Sequence, residues 1–151
     1  MEQIIQLNNQ AKLSEHFTLG EFTKSSSHPE VYNIPSHEAI ANLKRLCGWL
    51  EVLRERSGTP IRINSGYRSP QLNRAIHGNA NSNHMTGCAC DIRVSGMEQA
   101  LRYAVILMDY ADESKQEFDE LLIERNRYGA IWVHFAVRTK DNRRKILFIN
   151  A

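Results

Sequence analysis

The 151-residue sequence has no apolar run longer than six residues, Tyr103 to Met108. About 20 are needed to cross a bilayer, so no membrane span is expected. Proline and glycine are scarce, four and eight, which excludes collagen-like and low-complexity chains. Three cysteines, Cys47, Cys88 and Cys90, are too few and odd in number for a disulfide-stapled scaffold, and reduced thiols are expected. Cys88 and Cys90 lack the second cysteine pair that a four-thiolate zinc site needs. Charge of one sign is also lacking. Lys+Arg is 19 against Asp+Glu 17, a net charge of +2, which excludes a dedicated polycationic nucleic-acid binder. No glycine-rich phosphate loop, no G-x-S-x-G elbow and no aromatic-basic interleaving occurs. The opening stretch MEQIIQLNNQAKL has no basic start, long apolar run or small-residue cleavage site, so no secretory signal is read.

What is present is the composition of a globular domain, 42% hydrophobic and 24% charged. A chain of this length buries about two-thirds of its unfolded surface as one domain. Residues 1–12 read as a polar lead-in and 13–151 as the domain. Ser36 is a helix N-cap after Pro35. Ile40, Leu43, Leu46, Cys47, Leu50 and Leu53 then recur at helical spacing until Gly58. Ile61 to Asn64 alternates as a strand. Ser69-Pro70 starts a short helix to about Ile76, and 77–83 is loop. Cys88 to Val94 reads as a second strand. Ser95 caps a helix over about 96–110, with Leu101, Ala104, Val105 and Met108 on one face. Three strands follow, Glu120–Glu124, Ile131–Val137 and Lys145–Ile149. The class expected is α+β: a single domain with a small, mostly antiparallel sheet and flanking helices. Arg125, Arg127, Arg138, Arg143, Arg144 and Lys145 cluster around the two late turns and read as solvated turn charges. Attraction to an anionic polymer is their functional alternative.

Chemistry concentrates in Ser82-Asn-His84-Met-Thr-Gly87-Cys-Ala89-Cys-Asp91-Ile92 and in Trp132-Val133-His134-Phe135. A catalytic zinc takes three nitrogen or oxygen ligands and keeps a fourth position open. A loop turning at Gly87 could bring His84 back to Asp91, and His134 could add a third ligand from another strand. Spacing alone leaves the ordinary alternatives open: hydrogen-bonded core histidines and an aspartate that caps a turn.

Taken together with Ser65-Gly66-Tyr67-Arg68-Ser69-Pro70-x-Leu72-Asn73, these segments resemble the M15 peptidase family. The opening Leu13-Ser14-x-x-Phe17-Thr18-Leu19-x-Glu21-Phe22 is similar to its small phage and bacterial branch. That family contains zinc D-Ala-D-Ala carboxypeptidases, D,D-dipeptidases and L-alanyl-D-glutamate endopeptidases. The resemblance runs from about Leu13 to Val137. It implies a Hedgehog/D,D-peptidase-like fold and one Zn2+ held by His84, Asp91 and His134. It also implies an oxyanion-stabilising Arg68, substrate contacts at Ser82 and Tyr67, and a peptidoglycan or muropeptide substrate. The chain is expected to be a monomer without nucleic-acid or membrane partners. It would be cytoplasmic as synthesised and reach the cell wall if released by a partner, as a phage or prophage endolysin would.

One position departs from the family pattern. The best-known members carry an acid three residues before the last histidine, where this chain has Ile131. Glu124 is the expected substitute, with Asp119 and Glu120 behind it. A hairpin pairing Arg125 with Ala130 sets Glu124 opposite Ile131. A register moved by one residue puts Glu120 and Glu124 on the His134 face. The lost acid also leaves room for a non-catalytic zinc-binding module, for wall or protein contact, on the same scaffold. A structural phage component stabilised by its metal is a further alternative.

Overall fold

The structure is a computed structural model that describes residues 8–25 and 27–151. Five strands form one sheet: β1 (Ile63–Ser65), β2 (Ala89–Arg93), β3 (Glu120–Arg125), β4 (Ile131–Ala136) and β5 (Lys145–Asn150). Their order is β1-β2-β4-β3-β5. The first three pairings are antiparallel, and β5 runs parallel to β3 at the edge. The α+β, mostly antiparallel architecture expected from the sequence is the one observed. The β4–β5 connection passes over the start of β3, where Arg144 and Lys145 donate their N–H groups to the carbonyls of Phe118 and Asp119.

Among the described residues the helices are α1 (Leu19–Thr23), α2 (His37–Ser57), α3 (Pro70–Ala75) and α4 (Met97–Ser114), with one 3-10 turn at Asn83–Thr86. Ser36 caps α2 by accepting the Ala39 N–H at 3.1 Å, and Gly58 ends it at φ 70°. Both ends fall where the sequence puts them, because cap chemistry is local. Asn8 to Lys12 precede α1 and are tied to it: Leu19 and Gly20 donate to the carbonyls of Ala11 and Asn9. The rest of the lead-in, residues 1–7, lies outside the described residues.

α4 departs from expectation in three ways. It begins after Gly96 rather than after a Ser95 cap, and it continues to Ser114. It is also rotated. Ala100, Tyr103, Ala104, Leu107 and Ala111 are buried, whereas Leu101 and Val105 are 44% and 52% exposed. Both stripes have helical spacing, and only the packing partner distinguishes them. The partner is α2 with one face of the sheet. There Leu43, Leu46, Leu50 and Leu53 meet Cys90, Ile92, Leu121, Ile123, Val133 and Phe135. Trp49 anchors this core, with ring centroids 5.4 Å from Phe135 and 6.3 Å from Phe118. The three cysteines are unpaired and buried.

Alternation along β2, β3 and β4 leaves the opposite face for Asp91, Glu120, Glu124 and His134. The 3-10 turn is pressed onto α2 by Gly87, at φ 76°, where a Cβ would overlap the Ala39 carbonyl oxygen. Gly87→Ala adds left-handed strain to that overlap and is expected to cost about 2 kcal/mol. Thermal melting reads it, and an unchanged Tm would refute the tight contact.

Candidate active site

Three elements converge on the polar face of the sheet. The 3-10 turn carries His84, β2 carries Asp91 and β4 carries His134; Asp91 and His134 are direct cross-strand partners. One ligand atom from each lies within 4.8 Å of the others. His134 Nδ1 is 3.1 Å and His84 Nε2 is 3.4 Å from the same oxygen, Asp91 Oδ1.

Hydrogen bonds orient the two rings differently. His84 Nδ1 lies 2.6 Å from the Gly66 carbonyl. A carbonyl only accepts, so Nδ1 carries a hydrogen, and the neutral ring would present its lone pair at Nε2. That Nε2 is buried with no hydrogen-bond partner. His134 is held from the other side: Nε2 lies 3.0 Å from Glu120 Oε1, which turns Nδ1 toward Asp91. A buried, orphaned imidazole nitrogen beside a carboxylate and a second imidazole is a donor set that fits a zinc-like cation. The backing carbonyl and carboxylate are the usual partners of metal-binding histidines.

The electrostatics favour positive charge here. Burial raises the Asp91 carboxyl pKa, but His84 and His134 overcome it and hold the group well below the usual carboxylate range. Burial lowers the His134 pKa, but Asp91 and Glu120 reverse this and push it up.

The β3–β4 register is the shifted one. Arg125 pairs with Ile131 and Glu124 with Trp132, so a five-residue turn, 126–130, replaces the four-residue loop of the simpler hairpin. Glu120 and Glu124 therefore share the His134 face. Ile131 packs against the core with Val133 and Phe135, and an acid at 131 would point away from His134. Bonding to His134 lowers the Glu120 pKa. Glu124 is half-buried, and burial, then Asp91, raise its pKa. Asp119 faces elsewhere: it is fully buried and bound to Arg143, Arg138 and Asn83.

Arg68 and Ser82 line the cleft over these groups, which encloses about 500 Å3. The Arg68 N–H donates to the His84 carbonyl, and its Nη2 is 3.4 Å from Asp91 Oδ2. Ser82 Oγ accepts the His84 N–H at 3.1 Å, capping the 3-10 turn. Tyr67 is not brought to the cleft lining: it is 8% exposed and packs within the core, where its N–H donates to the Phe22 carbonyl. Asn83 and Arg138, which sequence reasoning did not single out as site residues, are part of the cleft wall. No spacing rule links positions 83, 119 and 138.

A family model described as Peptidase M15 matches residues 15–118 of the chain. The chain belongs to the M15 peptidase family. The matched stretch holds the Gly66-Tyr67-Arg68 turn, His84 and Asp91, and it ends before β3. Glu120, Glu124 and His134 of this family member thus lie beyond it and stand on geometry. Among solved structures, the fold is similar to the crystal structure of Serratia marcescens L-Ala D-Glu endopeptidase ChiX. That similarity has a TM-score of 0.44 and 19% identity over 68% of this chain and 87% of that chain. No curated protein matches the sequence.

Proposed function

We propose that this M15 family member is a zinc-dependent peptidase that hydrolyses amide bonds in peptidoglycan stem peptides or cross-links. The observation that carries the reading is the buried, partnerless His84 Nε2 beside Asp91 and His134. His84 through Nε2, Asp91 through Oδ1 and His134 through Nδ1 would hold the ion. When bound, zinc supplies Lewis acidity toward the scissile carbonyl and lowers the pKa of the attacking water.

The remaining chemistry belongs to the protein. Glu124 accepts the proton of the attacking water and returns it to the leaving amine. Arg68, anchored by Ser65 and Asp91, stabilises the charge that develops on the carbonyl oxygen. Glu120 keeps its hydrogen bond to His134 Nε2 and acts by orienting that ring. The non-catalytic alternative rests on the missing acid at residue 131. Two carboxylates on the His134 face weigh against it.

The deciding experiment is mass spectrometry of peptidoglycan and soluble muropeptides incubated with zinc-loaded protein, with and without chelator. A new product that the chelator suppresses is expected, and its mass identifies the bond. No product across several wall chemotypes, from protein holding one zinc, would overturn the peptidase reading.

A further inference from the structure

The cleft is electrostatically uneven, and the end away from Arg68 has cationic groups left over. Arg68 sits over β2 and is matched by Asp91. Across the sheet, Arg143 is matched by the Asp119 carboxylate, which it grips through Nε at 3.0 Å and Nη2 at 2.8 Å. Arg138 is different. It spends only Nε, on Asn83 Oδ1 at 3.0 Å and Asp119 Oδ2 at 3.2 Å. Its two terminal amino groups have no protein partner among the described residues. Lys145, on the edge strand β5, likewise has no carboxylate within ion-pair distance among the described residues, and both side chains line the cleft.

Arg138 is also held in place before any ligand arrives. Asn83 and Asp119 are 7% and 0% exposed. The Arg138 backbone is clasped by the Asn142 side chain, which accepts its N–H at 2.8 Å and donates to its carbonyl at 3.0 Å. A guanidinium fixed at Nε and open at both Nη atoms presents a planar fork, the shape that receives a carboxylate through two parallel hydrogen bonds. Holding the fork in advance lowers the ordering cost of binding.

We propose that Arg138, with Lys145, forms a subsite for a free carboxylate of the substrate. The protein then discriminates between stem peptides whose carboxylate near the scissile bond is free and those in which it is a primary amide. The amide has no charge and offers one acceptor where the fork requires two. This inference rests on the peptidase reading above and adds the chemical class of the substrate. The carboxylate could be the α-carboxylate of an internal D-glutamate or the C-terminal carboxylate of the peptide. Both present the same group, and the experiment separates them.

The test uses zinc-loaded protein and synthetic stem peptides in matched pairs. One pair carries D-glutamate with its α-carboxylate free or amidated; the other carries the C-terminal carboxylate free or amidated. In one pair the free acid is expected to be favoured about tenfold to a hundredfold in kcat/KM, chiefly through KM, as for a charge-assisted hydrogen bond. Arg138→Gln, with folding checked by its Tm, should bring that ratio to within about threefold of unity. Hydrolysis of all four peptides with equal kcat/KM by the native protein would overturn the subsite and leave the peptidase reading standing. So would a preference for the acid that survives in Arg138→Gln and in Lys145→Gln. Hydrolysis of none would overturn the peptidase reading itself, and the subsite with it.

Discussion

Glu124→Gln is expected to lower kcat about 10³-fold while leaving bound zinc in place. Glu120→Gln should do the reverse. It should weaken zinc binding about tenfold to a hundredfold and lower kcat much less once the site is saturated with metal. The two carboxylates share one strand face but not one environment. Glu120 is committed: one of its oxygens lies 3.0 Å from His134 Nε2 and 2.7 Å from Asn83 Nδ2. Arg143 stands 3.5 Å from the other. These bonds favour its charged form and leave it a poor proton acceptor. Glu124 has no ion-pair partner among the described residues, and burial raises its pKa. A carboxylate more basic than usual and free of an ion-pair partner is the better general base. Zinc content by metal analysis and turnover at saturating zinc separate the two roles. Glu124→Gln retaining turnover within tenfold of the parent, with Glu120→Gln inactive at full occupancy, would exchange them.

Asp119→Asn is expected to destabilise the fold by about 3 kcal/mol. For a chain of this size that is a fall in Tm of roughly 10 °C. The carboxylate is fully buried yet accepts from the Arg143 N–H and guanidinium and from Asn83, with Arg138 at 3.2 Å. An amide there keeps the shape and loses the charge, so guanidiniums drawn into the wall of the cleft lose their counter-ion. Burial raises the Asp119 pKa, but Arg143, Asn83 and Arg138 outweigh it and pull it down to about 2. A carboxyl whose folded pKa lies below its unfolded value, about 3.9, stabilises the fold fully above that value. The contribution fades as pH falls toward about 2. The parent should therefore lose stability more steeply than Asp119→Asn between about pH 4 and pH 2. Equal slopes, or a Tm within about 2 °C of the parent, would show that the arginines are solvated without Asp119.

How much of this is legible in the chain depends on the range of the interaction. Ser36 and Gly58 delimit α2 as expected because a cap involves only neighbouring residues. The five strands appear close to their expected positions because alternation is a local signal. The conjunction of His84, Asp91 and His134 is legible too, through ordered motifs and a turn at Gly87 that brings the 3-10 turn back against β2. The α4 face is not legible, because Leu101 and Val105 are as apolar as the residues that are buried. Only α2 and the sheet choose between the stripes.

The sequence by itself determined the class of fold, the element boundaries set by caps and alternation, and the set of side chains able to hold a metal. Tertiary structure alone decided which side chains serve them. A one-residue choice of register in the β3–β4 hairpin turns Glu120 and Glu124 toward His134. Nothing local prefers one register over the other, whereas Ile131, three residues from His134 on the same strand, faces the core in either. The pairing of β5 with β3 carries the β4–β5 connection over Asp119 and brings Arg138, Arg143 and Lys145 to the rim of the cleft. Such contacts join residues up to 55 positions apart, as between Arg138 and Asn83. Their energy depends on a geometry that exists only once the sheet has formed.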